Sequence, residues 1–104
     1  MKLVIVESPF SGDVEKYTEY ARKCLLDCLR RGEAPFASHL LYPQVLDDTV
    51  PDQRHLGMDA GFAWGAKADL VAVYTDLGVS RGMELGIEKA TQQNIPIEYR
   101  IIYG

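Results

Sequence analysis

Ala68-Asp69-Leu70-Val71-Ala72-Val73-Tyr74-Thr75-Asp76-Leu77-Gly78-Val79-Ser80-Arg81-Gly82-Met83-Glu84-Leu85-Gly86 is the stretch on which the reading of this chain turns. Leu70 to Tyr74 is an unbroken apolar run bounded by turn residues. Such a run fits a strand covered on both faces, as in a parallel sheet. Gly78 punctuates the turn, and Ser80 opens a helix to about Gln93 with Met83, Ile87 and Ala90 inward. In an open α/β sheet this kind of strand-to-helix edge is where ligands bind.

Upstream, Lys2 to Val6 repeats the pattern of a doubly covered strand, ended by Ser8-Pro9-Phe10-Ser11-Gly12-Asp13. Asp13 or Ser11 caps a helix to about Arg31, with Tyr17, Ala21, Cys24, Leu25 and Cys28 on its inner face and Gly32 at the C-terminal cap. Ala34 to Ser38 reads as a short strand that holds Pro35 at its start or at a sheet edge. His39 to Thr49 reads as a long apolar loop. Thr49-Val50-Pro51-Asp52 carries helix-start signals, and that helix runs to about Lys67 with Leu56, Ala60, Ala63 and Trp64 inward. Gly57, Gly61 and Gly65 fall on one row of it and let another backbone approach. Asn94 caps the last helix, and Ile95 to Tyr103 forms a final strand whose Glu98 and Arg100 point to an edge. The alternation of strands and helices predicts a single domain over residues 1–104. It is a small doubly wound parallel sheet of four to five strands, flavodoxin- or Rossmann-like, with helices on both faces.

The chain has 104 residues, enough for one core. Its net charge of -4 argues against nucleic-acid binding. No apolar run approaches the roughly 20 residues of a membrane span, and Leu3 to Val6 is too short for a signal-peptide core. A cytoplasmic location is therefore expected, with no membrane or nucleic-acid partner. Cys24 and Cys28 share a helical face without a second pair of ligands at zinc spacing, so they read as core residues rather than a metal site. No metal or cofactor is expected.

The strand-to-helix loops converge on one edge, where small residues at helix N-termini favour an anion. Gly78-Val79-Ser80-Arg81-Gly82 matches the G-x-S-x-G elbow, but the hydrolase order needs a His after the Ser, and both His39 and His55 precede it. Ser80 is therefore a helix cap that also meets ligand. Glu84 is the sharper candidate. With Asp76 in the preceding turn and Asp59 on the second long helix, it offers the paired carboxyl groups that glycosyl transfer uses.

Val4 to Asp13 and Gly78 to Ala90 resemble the nucleoside 2-deoxyribosyltransferases, with an apolar strand running into Ser-Pro-Phe and a Gly/Ser turn followed by Glu-Leu-Gly. The deoxynucleoside monophosphate N-glycosidases and small phage and bacterial proteins belong to the same superfamily. The resemblance implies Glu84 as the nucleophile, with Asp59 handling the base. It places Ser8, Phe10, Ser11, Gly12, Gly78 and Ser80 around sugar or phosphate. His39 is a further candidate contact, and Arg81 a phosphate partner. The chain departs from the family in having Ile5 where a Tyr orients the nucleophile, and Val79 and Gly78 where an Asp precedes it. Glu7 also stands where a small residue is common.

The expectation is an enzyme that cleaves or transfers at the N-glycosidic bond of a (deoxy)nucleoside or nucleotide, with that small molecule as its partner. The alternatives are a non-catalytic protein that binds or sequesters such a ligand, and an assembly protein using the apolar loop at Leu40 to Leu46. A homo-oligomer, dimer or higher, is expected because a small open sheet leaves its pocket shallow.

Overall fold

The computed structural model describes residues 1–104. Strand β1 (Leu3–Glu7) leads through helix α1 (Val14–Arg30) to β2 (Ala34–Phe36). A short helix α2 (Ser38–Leu41) and a 3-10 turn at Tyr42–Gln44 precede α3 (Pro51–Gly65). Strand β3 (Leu70–Tyr74), α4 (Arg81–Gln92) and β4 (Ile97–Arg100) complete the chain. All four strands are parallel, in the order β2-β1-β3-β4. This is the expected doubly wound sheet. The order reverses between β1 and β3, which makes their carboxyl ends the switch point of the sheet.

The pleat divides the strands between two cores. Val4, Val6, Leu70, Ala72 and Tyr74 pack with Tyr20, Cys24 and Cys28 of α1. Val71 and Val73 pack on the other face with Met83 and Ala90 of α4, joined by Ile5, Ile87, Ile95 and Ile97. Side chains alternate along a strand, so Leu3, Ile5 and Glu7 share the second face. The two cysteines are buried and unpaired core residues. No helix is long and apolar enough to cross a membrane.

Caps define the helices that frame the switch point. The Asp13 carboxylate accepts from the Lys16 amide at 3.2 Å, and the Ser80 hydroxyl accepts from the Met83 amide at 3.3 Å. Asn94 ends α4 with φ 58°, the left-handed geometry expected of a cap.

Four sequence expectations change. The expected loop from His39 to Thr49 contains α2 and the 3-10 turn, both too short to show a period. The final strand is shorter than expected, spanning only Ile97–Arg100. Thr49 does not cap α3; its hydroxyl donates to Asp47 at 2.6 Å, and Val50 occupies the cap position. The inner face of α3 is the glycine row, while Leu56 and Trp64 are each 59% exposed. Gly57 lies over Leu46 and Tyr42, Gly61 over Ser38, and Gly65 over Ile5. A Cβ at Gly61 would come within 2.8 Å of Ser38 Oγ. What approaches the glycine row is therefore not another backbone but side chains of the chain's own β1, α2 and the 3-10 turn with the residues after it.

Candidate active site

A cavity of about 210 Å³ runs between α3 and α4 along the seam of β1 and β3. Its floor is Ile5, Glu7 and Val71. Ser8, Phe10 and Ser11 enter from the β1–α1 loop, and Phe36, Ser38 and His39 from β2 and α2. Helix α3 contributes Arg54, Met58, Gly61, Phe62 and Gly65, while α4 contributes Arg81, Gly82, Met83, Gly86, Lys89 and Ala90. Asp48, Ser80 and Gln93 complete the lining, and Ser11 donates to Asp48 at 3.4 Å. A smaller recess of about 70 Å³ between α2 and α3 shares Ser38, His39, Asp48, Arg54 and Met58 with it.

Burial and hydrogen bonding set the chemistry of this space. Ser8 is 5% exposed, and its hydroxyl lies 2.7 Å from Nε2 of His39. The His39 ring also meets Phe10 edge-on, with 6.2 Å between centroids. Burial pushes the His39 pKa down to about 4, so the imidazole is neutral at pH 7. Burial pushes the Glu7 carboxyl up to about 8. Helix α4 is open where that carboxyl rests: a Cβ at Gly86 would fall 2.9 Å from Oε1 of Glu7 and closer still to Oε2. Arg54 and Lys89 line the cavity without an ion pair, whereas Arg81 is held by Glu84 at 3.1 Å and Glu88 at 3.6 Å.

Of the residues expected to meet ligand, Ser8, Phe10, Ser11, His39, Ser80 and Arg81 line the cavity; Gly12 and Gly78 lie in turns beside it. The three expected catalytic carboxylates do not converge there. Glu84 is two residues from Gly86, roughly 160° around a helix that turns about 100° per residue. Its side chain is 52% exposed and bound to Arg81. Asp59 is on the exposed side of α3. Asp76 is a structural clamp: it accepts from Tyr20 Oη at 2.6 Å and from the Ile102 and Tyr103 amides at 3.0 and 2.9 Å. Burial alone would raise the Asp76 pKa, but these bonds outweigh it and hold the carboxylate below its usual range.

Glu7, Arg54 and Lys89 are among the cavity groups not singled out from the sequence as ligand contacts, as are Phe36 and Phe62. The usable signal for Glu7 was the alternation Leu3, Ile5, Glu7, which carries a carboxyl onto an apolar face. Arg54 and Lys89 lie on different helices, and only the packing of α3 against α4 brings them to one space.

The fold is nucleoside 2-deoxyribosyltransferase-like. The chain is similar to a 2-deoxyribosyltransferase from Bacillus psychrosaccharolyticus, with a TM-score of 0.68 and 15% identity over 95% of this chain and 72% of that one. It is also similar to the CMP N-glycosidase BcmB of Clostridium botulinum, with a TM-score of 0.56 and 14% identity over 99% and 91% of the two chains. At such identities the likeness is one of fold. No curated protein matches the sequence. The chain itself belongs to the family described as domain of unknown function DUF7768, whose model matches residues 2–100.

Proposed function

We propose that the α3–α4 cavity takes a nucleoside or nucleotide and that the protein cleaves or transfers at its N-glycosidic bond. The observation that carries this reading is the combination in one cavity of aromatic rings, unpaired cations and a half-buried carboxyl. Phe10, Phe36 and Phe62 offer surfaces for a base, Arg54 and Lys89 suit a phosphate, and Glu7 supplies an acid. The two structural neighbours, by their names, act on nucleosides and on a nucleotide, and this supports the substrate class.

Glu84 as attacking carboxylate is the finer form of the proposal, favoured by its place in the first turn of α4 after the Gly/Ser turn. It requires the anomeric carbon to sit beyond the cavity, over the outer side of that turn. The test is incubation with deoxynucleosides and deoxynucleoside monophosphates, with and without an acceptor base, followed by chromatography of the released base. Base release by the wild type is expected; its absence across the panel overturns the enzyme reading. Loss of release in Glu84→Ala supports attack by Glu84, and unchanged release removes Glu84 from the chemistry.

A second reading is a binder without turnover. It is favoured by the separation of all three expected catalytic carboxylates from the cavity. Calorimetry that finds tight nucleotide binding alongside no base release would establish it.

A further inference from the structure

We infer that Glu7 is the catalytic acid of this cavity, giving its proton to the base as the base departs. The inference rests on the reading that the cavity acts on an N-glycosidic bond. It assigns the chemistry to a position where the resembling transferases carry a small residue.

Four observations place Glu7 in that role. It ends β1 at the switch point, paired in register with Val73, on the face that α4 covers. Its carboxyl lines the cavity and rests against Gly86, the one place in the middle of α4 where no side chain intervenes. No hydrogen bond or ion pair holds it, in contrast to Asp76 and Glu33, which are fully engaged by donors. Finally, five other titratable or charged groups line the cavity, and none of them bonds to the carboxyl. These are His39 from α2, Asp48 from the following loop, Arg54 from α3, and Arg81 and Lys89 from α4. Burial is the cause that moves Glu7, so at pH 7 it carries a proton. His39, which also lines the cavity, has lost its extra proton at that pH.

A carboxyl kept neutral by loss of solvent is the form a general acid needs. The Glu7 proton passes to a nitrogen or oxygen of the base while the bond from the anomeric carbon to the base nitrogen breaks. The electron pair of that bond leaves with the base, and the sugar carries the positive charge. A water oxygen then bonds to the anomeric carbon, and its released proton returns to the Glu7 carboxylate. Nucleoside and water become free sugar and free base, with no oxidant or further reactant. This sequence of steps uses water as the nucleophile and is the alternative to attack by Glu84, whose side chain lies roughly 160° around α4 from Gly86.

The experiment compares the full chain and Glu7→Gln on the same panel of deoxynucleosides and deoxynucleoside monophosphates. Base release is measured from pH 5 to 9.5, and nucleotide binding is followed separately by calorimetry. Glu7→Gln keeps the shape of the side chain and needs no ionisation, and a circular-dichroism melt checks that it folds. The expected result is a loss of kcat of about 100-fold or more, with binding within about threefold of wild type. Wild-type kcat should fall as pH rises through about 8, and this limb should be absent from the residual activity of the variant. Wild-type turnover with Glu7→Gln unimpaired, or a rate that rises through that limb, overturns Glu7 and leaves the N-glycosidic reading standing. A wild type that binds nucleotide and releases no base overturns that reading and this assignment with it.

Discussion

The two faces of the sheet handle charge in opposite ways. On the α1 side, charge is buried and almost completely partnered. Arg100 is 3% exposed in its side chain and forms a bidentate pair with Glu33 at 2.7 Å on both oxygens. It also reaches Glu98 at 2.9 Å and Tyr74 Oη at 3.3 Å, and Tyr74 donates to Asp27 at 2.7 Å. The Arg100 guanidinium holds Glu33 well below the usual carboxylate range. Only Nε of Arg100 lacks a partner. On the α3–α4 side, Glu7, Arg54 and Lys89 meet one space with no partner for any of them. A buried group held by partners on every side is committed to the fold. An unpaired one costs stability and is free to meet something else.

Three measurements would break or sharpen this contrast. The largest effect is expected at Arg100. Arg100→Ala leaves Glu33 buried without its partner and should cost about 4 kcal/mol in a urea melt. Arg100→Met with Glu33→Gln should recover more than half of that loss, since the isolated charge goes too. A single-variant cost under about 1 kcal/mol would show that the network does not hold this face together.

Next comes Asp76. Asp76→Ala removes the acceptor of Tyr20 and of two amides of the C-terminal segment, for an expected loss of about 2 kcal/mol. Hydrogen exchange at the Ile102 and Tyr103 amides should rise at the same time. Unchanged exchange there would separate Asp76 from the anchoring of that segment.

The smallest effect, per pH unit, comes from the cavity. Glu7 is raised from 4.5 to about 8, so between those values the folded chain keeps a proton that the unfolded chain has lost. Its contribution is fully present below pH 4.5 and declines as pH rises toward 8. His39 is lowered from 6.5 to about 4, so its contribution is present above 6.5 and declines as pH falls. The two slopes oppose each other from about pH 4.5 to 6.5, where stability should be nearly flat. From 6.5 to 8 Glu7 acts alone, and stability should fall by about 1.4 kcal/mol per unit. Glu7→Gln should remove that fall and make the protein more stable than wild type at pH 8. Denaturant melts across this range check both statements.

The fold was legible because β1 and β3 are covered on both sides and so read as continuous apolar runs, and because Asp13 and Ser80 are good caps. The orientation of α3 was not legible. Its apolar residues are spread around the whole helix, and its buried side is built from glycines, which carry no hydropathy signal. The candidate site was half legible. The loops identified its edge and six of its contacts, including the Ser8 and His39 pair. Glu84 was legible as a motif, and so was its direction. The inward set of Met83, Ile87 and Ala90 already turns it away from Gly86. Glu7 was legible as a departure from the resembling family but not as a candidate acid, because a charged residue after an apolar run reads as the end of a strand rather than as part of its covered face.

The glycine row of α3 also acts as a spacer. Helix packing is normally indexed by side chains that interlock like teeth, and those teeth fix both separation and axial position. The inner side of α3 has none at Gly57, Gly61 or Gly65, and its distance from the sheet is set by what lies opposite: Tyr42 and Leu46, Ser38, and Ile5. The aperture of the cavity is thus gauged by a handful of side chains outside α3. In a relative with bulkier or slimmer residues at those few positions, the same backbone would admit a different ligand without any change in topology.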